Sequence, residues 1–270
     1  MNKILVSLCV IAVAAAIGIG ATTAYFTSTQ ASIGNIITAG NLSLEVGSTC
    51  HYNGMICADG VWAEDNDILT IVSEPSMLTT SCSCTWIANS LTSDNLFFNY
   101  NDVKPGDVGE NTISLHINNN PAWVCASISN LEAKENGCAN NAELKDDSDC
   151  ETELTGELKN NLLFTVWRDS DCNNILDGLE TAVVTNQPAS ELSWAIADSQ
   201  NGGQPIPGSD DPLDRTCIGV KWTVPAEVEN EIQGDSIQGD ITFTAVQSRN
   251  NASFTCEPIE PVEPGENPSF

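Results

Sequence analysis

The twelve residues Asp169-Ser170-Asp171-Cys172-Asn173-Asn174-Ile175-Leu176-Asp177-Gly178-Leu179-Glu180 hold the densest candidate chemistry in the chain. Counted from Asp169, side-chain oxygens fall at positions 1, 3, 5, 9 and 12, from Asp169, Asp171, Asn173, Asp177 and Glu180. Position 7, Ile175, can offer a backbone carbonyl, and position 8 is the apolar Leu176. A hard divalent cation takes about six to eight oxygens from a tight curve, and this is the spacing of an EF-hand calcium loop. Glu180 could close the shell with both oxygens. One position departs from that pattern: Asn174 stands sixth, where glycine is usual. Asn enters left-handed backbone more readily than most residues, so the turn stays feasible. A strand ending at Trp167-Arg168, not a helix, leads into the loop. The expectation is a calcium loop grafted on a β scaffold, weighed against a plain acidic solvent turn. The runs Asp146-Asp147-Ser148-Asp149 and Asp210 to Asp214 read as solvated loops rather than sites.

Other chemistry is sparse. The sequence contains no His-Glu-x-x-His, no Gly-x-Ser-x-Gly and no phosphate-binding loop. Its two histidines, His51 and His116, lie in no zinc motif. No catalytic residue is assigned, and the expectation is a protein that is not an enzyme. Trp62, Trp86, Trp123, Trp167, Trp194 and Trp222 read as core and sheet-face residues in preference to a sugar platform.

The elements that must position the loop are strands. Leu42, Leu44 and Val46 recur at every second position, as do Ile113, Leu115 and Ile117; Leu162, Phe164 and Val166; Ile218, Val220 and Trp222; and Ile241, Phe243 and Ala245. Period-two alternation rich in β-branched and aromatic residues means strands with one buried face. Leu96-Phe97-Phe98 and Ala122 to Ser129 read as further strands, and residues 191–197 as a short helical turn. Lys104-Pro105-Gly106-Asp107 reads as a turn, with Pro fixing φ and Gly supplying positive φ. Many short strands with Gly, Pro and Asn punctuation predict an all-β fold, a jelly-roll-like β-sandwich. Gly47 to Thr80 and Glu132 to Thr155 read as inserted acidic loops, and 257–270 as a Pro/Glu-rich tail.

The N-terminus reads as an export signal. Met1-Asn2-Lys3 leads into an apolar run from Ile4 to Ala21, and no charge follows Lys3 until Glu45. A basic start, an apolar middle and a small-residue exit make a secretory signal helix over 1–24, cut between Ala24 and Tyr25. An uncleaved membrane anchor is the alternative. Membrane contact is then limited to the signal before cleavage. Net charge is −28, with 37 acids against nine bases. Such a surface disfavours nucleic acid and anionic membrane and attracts cations. Cys9 lies in the signal; Cys50, Cys57, Cys82, Cys84, Cys125, Cys138, Cys150, Cys172, Cys217 and Cys256 remain. An even number on an exported chain reads as up to five disulfides, and the roughly 945 possible pairings leave connectivity open.

Ala24-Tyr25-Phe26, Gly34-Asn35, Thr38-Ala39-Gly40 and Leu42-x-Leu44 resemble the signal and leading strand of the TasA/camelysin family. Ser28 and Gln30 stand where that family has acids, and Ile36-Ile37 where it has Thr-Phe. Asp102-Val103-Lys104-Pro105-Gly106-Asp107 with Thr112-Ile113-Ser114-Leu115, Gly219-Val220-Lys221-Trp222 and Asp240-Ile241-Thr242-Phe243 are similar to its later strands. The resemblance implies cleavage by a SipW-type signal peptidase and a secreted subunit of an extracellular filament or biofilm-type matrix. It also implies donor-strand assembly, in which the N-terminal segment of one copy completes the sheet of the next. Segment 25–41 fits that role, being uncharged and β-prone, with Tyr25, Phe26, Ile33, Ile36 and Ile37 as anchors. An ordinary edge strand of its own subunit is the simpler alternative. Two other functions stay open: a monomeric calcium-dependent cell-surface or glycan-binding module, and a camelysin-like secreted metallopeptidase.

Overall fold

A computed structural model describes residues 27–31, 42–65, 77–192, 194–200, 204–209, 211 and 214–256. The signal segment, the anchors Tyr25, Phe26, Ile33, Ile36 and Ile37, and the tail 257–270 lie outside the described residues. The strands in chain order are β1 (Thr27–Ala31), β2 (Ser43–Tyr52), β3 (Met55–Ala58), β4 (Val61–Glu64), β5 (Trp86–Asn89) and β6 (Val108–Asn118). They continue as β7 (Ala122–Lys134), β8 (Leu163–Asp169), β9 (Ala182–Pro188), β10 (Trp194–Ala197), β11 (Thr216–Thr223) and β12 (Ser236–Gln247). The only α-helices among the described residues are the short Glu143–Asp146 and Leu158–Asn161. None is long and apolar enough to cross a membrane.

Two sheets hold the chain. One runs β1-β12-β7-β10, and the other β4-β3-β2-β6-β11-β8-β9 with β5 also paired to β2. All the named pairings are antiparallel. The alternating apolar residues do what their period requires. Leu44, Val46, Ile113, Leu115, Phe164, Val166, Ile218, Val220 and Trp222 from one sheet share a buried core with Val124, Ile241, Phe243 and Ala245 from the other. Across it the rings of Phe97 and Phe243 stand 5.7 Å apart.

The centre of the larger sheet depends on two cross-strand pairs of glycine and tryptophan. Trp222 lies opposite Gly109, and Trp167 opposite Gly219. A Cβ at Gly109 would fall 2.2 Å from the Trp222 ring, and one at Gly219 2.1 Å from the Trp167 ring. The missing side chain is what lets each indole lie flat over its neighbour.

The Lys104–Asp107 turn forms as its residues predict. Asp107 donates its N–H to the Lys104 carbonyl at 3.0 Å, and Gly106 sits at φ +91°. The turn also performs a structural task absent from the local pattern: the buried Asp107 carboxylate accepts from Tyr52 Oη at 2.5 Å, Asn53 Nδ2 at 2.9 Å and the Lys104 N–H at 2.8 Å.

Three local expectations are corrected. Leu96-Phe97-Phe98 is not a strand; Phe97 is buried in the core from a loop, and its carbonyl accepts from Asn111 Nδ2 at 2.9 Å. Residues 191–197 are not helical beyond Glu191, because Trp194–Ala197 pairs with β7. Gly47 to Thr80 is not simply a loop. Its first six residues extend β2, and β3 and β4 form a hairpin stapled by Cys57–Cys82. Met55, Cys57 and Trp62 join the main core there, so the segment buries more apolar surface than its acidic composition suggests.

All ten remaining cysteines are paired, as Cys50–Cys84, Cys57–Cys82, Cys125–Cys256, Cys138–Cys150 and Cys172–Cys217. Such a set belongs to an oxidising environment. Trp62, Trp123, Trp167 and Trp222 are buried, which places them in packing roles.

Candidate metal centre

β8 ends at Asp169, and the loop to Glu180 begins there. Asp169 is 1% exposed because it is still the cross-strand partner of Cys217 in β11. Its carboxylate accepts the N–H of Asn174 at 2.8 Å and of Asn173 at 3.2 Å. Asp171 also accepts the Asn173 N–H at 3.2 Å, and Asn173 Oδ1 accepts the N–H of Ile175 at 2.7 Å. The backbone therefore curls around its own oxygens. Asn174 sits at φ +62°, so it adopts the left-handed turn that glycine usually supplies at this position. Cys172, at φ +61°, is bonded to Cys217 and fixes the first turn of the loop to β11.

The far end of the loop returns to its start. Glu180 Oε1 accepts from Ser170 Oγ at 2.9 Å, while Glu180 Oε2 is buried and has no hydrogen-bond partner. Asn174 Oδ1 is likewise buried and unpartnered. Asp169, Asp171 and Glu180 each offer an oxygen, all within 4.8 Å of one another. Such a group could hold a metal ion, and the all-oxygen donor set suits a hard cation. The orphaned oxygen of Glu180 is the kind of atom that a cation would satisfy.

Of the six residues expected as ligands, the structure thus gathers three carboxylates. Asn173 is tied to Asp171 through Nδ2 at 3.1 Å. Asp177 is exposed and stands apart from that trio; its carbonyl accepts the Glu180 N–H at 3.0 Å. Ile175 and Leu176 are exposed, and Leu179 is fully so.

Burial raises the Asp169 carboxyl above its ordinary range, and the Glu180 charge adds to this. The backbone N–H groups of Asn174, Asn173 and Cys172 oppose the shift by stabilising the charged form. A bound cation would act in the same direction as those amides.

Residues behind the loop escaped the motif reading. Asn174 Nδ2 lies 3.2 Å from His51 Nδ1 and 3.4 Å from Glu110 Oε2. His51 Nε2 lies 3.1 Å from Asp65 Oδ2. His51 and Glu110 are themselves cross-strand partners on β2 and β6. If Asn174 donates to Nδ1, the histidine proton is on Nε2 and points at Asp65. These side chains support the loop from beneath. Period-two alternation identifies the face of His51 and Glu110 but not the loop that packs on it.

No protein-family model matches the chain, and no match is found among curated proteins.

Proposed function

We propose that the chain is a secreted structural subunit of an extracellular filament or matrix. Copies join head to tail by strand exchange on a jelly-roll-like sandwich, and disulfides and calcium in the 169–180 loop stiffen each subunit. The single observation that carries this reading is the position of β1. Among the described residues Thr27–Ala31 lies at the edge of the smaller sheet and pairs with β12 alone, from Thr27 opposite Val246 to Ala31 opposite Thr242. A five-residue edge strand held along one side is the simplest element to exchange between identical chains. The same slot on β12 would accept β1 from a neighbour with the same main-chain hydrogen bonds. An exchange that does not close on itself gives an open fibre. The resemblance of the N-terminal segment to the TasA/camelysin family supports the same assignment.

The test is negative-stain electron microscopy of the purified protein in calcium, beside a variant lacking 25–35. Filaments from the parent and monomers from the deletion are expected. Filaments from both would refute strand exchange. Dispersed particles from the parent at high concentration would favour a monomeric calcium-dependent binding module.

A further inference from the structure

A second group of carboxylates gathers outside the 169–180 loop, two of its members in the stretch Glu132 to Thr155 that reads as an acidic loop. Glu135 follows the end of β7 directly, Asp147 follows the short helix Glu143–Asp146, Glu157 precedes the helix Leu158–Asn161, and Asp235 precedes β12. Four separate pieces of chain therefore converge. Glu135, Asp147 and Glu157 each offer an oxygen, all within 4.8 Å of one another. Asp235 faces Glu135 closely enough to share a proton with it.

These groups are not a solvated acidic surface. Glu135 is 1% exposed and Asp147 7% exposed. Neither oxygen of Glu135 meets a hydrogen-bond donor among the described residues, and Asp147 Oδ2, Glu157 Oε2 and Asp235 Oδ1 are also buried without a partner. No ion pair among the described residues reaches any of the four. The neighbouring Lys134 is 3.1 Å from Glu132 instead. Burying charge without compensation is among the costliest arrangements a fold can hold.

The local chain is shaped to bring these groups together. A Cβ on Gly156 would fall 2.3 Å from Asp235 Cγ, so only glycine lets the backbone come so close. Asp235 Oδ2 accepts the Leu158 N–H at 2.8 Å, which aims its other oxygen elsewhere. Asp147 Oδ1 accepts the Asp149 N–H at 3.2 Å and leaves Oδ2 free in the same way. The Cys138–Cys150 disulfide closes the loop that carries Asp147 and begins three residues after Glu135.

We propose that Glu135, Asp147, Glu157 and Asp235 bind a calcium ion, at a second site distinct from the 169–180 loop. Five unpartnered oxygens on four carboxylates approach the complement of about six to eight that calcium takes. The absence of sulfur and nitrogen donors excludes a soft-metal preference. Magnesium is disfavoured because it keeps several waters and is held by one or two carboxylates, whereas four carboxylates gather here. A proton shared between Glu135 and Asp235 would relieve one contact only.

The test is calcium stoichiometry by isothermal titration of the chelator-stripped protein, with folding checked by circular dichroism. The parent should bind two ions per chain, and Glu135→Gln, Asp235→Asn and Asp169→Asn one each. Parental stoichiometry in Glu135→Gln would overturn the second site, as would an Asp169→Asn variant that binds none. A parent that binds one ion, kept by Asp169→Asn and lost by Glu135→Gln, would instead sink the 169–180 assignment and leave this one standing. If the Glu135 and Asp235 variants do not fold, hydrogen exchange of the parent decides. Calcium should slow exchange across 135–157, and an unchanged rate there would overturn the proposal.

Discussion

Cys217 is the cross-strand partner of Asp169, and its sulfur is bonded to Cys172, three residues further along the loop. One position on β11 thus serves both the last rung of the sheet and the first turn of the candidate metal loop. The loop inherits the rigidity of the sheet at the carboxylate that starts it.

Removing that brace should loosen the loop and the fold together. Cys172→Ser with Cys217→Ser opens a closed loop with a sequence separation of 45. The chain-entropy estimate for that length is about 4 kcal/mol. Urea unfolding of the double variant should show a loss of roughly 2–5 kcal/mol and weaker calcium binding. Unchanged affinity would show that the loop closes without its brace.

Asp169→Asn removes one charge from the trio of Asp169, Asp171 and Glu180. Calcium affinity at that site should drop by more than about one to two orders of magnitude, which supporting groups alone are worth, so that the titration no longer counts this ion. The rise in melting temperature on adding calcium should shrink accordingly. An undiminished calcium-dependent rise would argue that the loop is only an acidic turn.

Gly219→Ala probes the packing of the larger sheet at Trp167, two residues along β8 from Asp169. The added Cβ would overlap the Trp167 ring, which is buried and paired across the strand. Overpacking of this kind costs about 1–3 kcal/mol or more. Thermal unfolding should shift down, and near-ultraviolet circular dichroism should report a moved indole. A melting temperature equal to the parent's would mean that the sheet yields more easily than its geometry suggests.

The chelated protein should respond to pH through Glu135. Burial, together with facing Asp235, Glu157 and Asp147, pushes its carboxyl up to about 8 from an ordinary 4.5. Below the ordinary value both folded and unfolded chains hold the proton. Above it the unfolded chain releases the proton while the folded chain keeps it, so stability falls until the folded group also ionises. In chelator, the parent should lose melting temperature between about pH 5 and 8 relative to Glu135→Gln, and level off above that range. Saturating calcium should reverse the difference, because the parent then gains stability from an ion that Glu135→Gln no longer holds. Parallel pH profiles for the two proteins in chelator would contradict the buried carboxylate cluster.

The alternating strands and the loop were legible because each is a local pattern. Leu44, Ile113, Phe164, Val220 and Phe243 announce their buried faces within a few residues, and Asp169 to Glu180 is one continuous spacing. Phe97 misled because apolar residues can fill a core from a loop. Trp194–Ala197 misled because a short segment takes its conformation from β7, not from its own propensity. The carboxylate cluster was illegible for a stronger reason. Its members are spread from Glu135 to Asp235, and Asp147 sits in an acidic run that resembles any solvated loop. Only the chain crossings at β7, the two short helices and β12 bring them together.

The Cys125–Cys256 bond sets a schedule for maturation. It joins β7 to a residue beyond β12 across a separation of 131 residues, far longer than the other four bridges. Cys125 is synthesised long before its partner and must wait as a thiol. The early cysteines can close among themselves as they appear, but the smaller sheet cannot be sealed until residue 256 has been made. The last cysteine to arrive therefore acts as a latch, and a chain that stalls before it would present an open thiol to its neighbours.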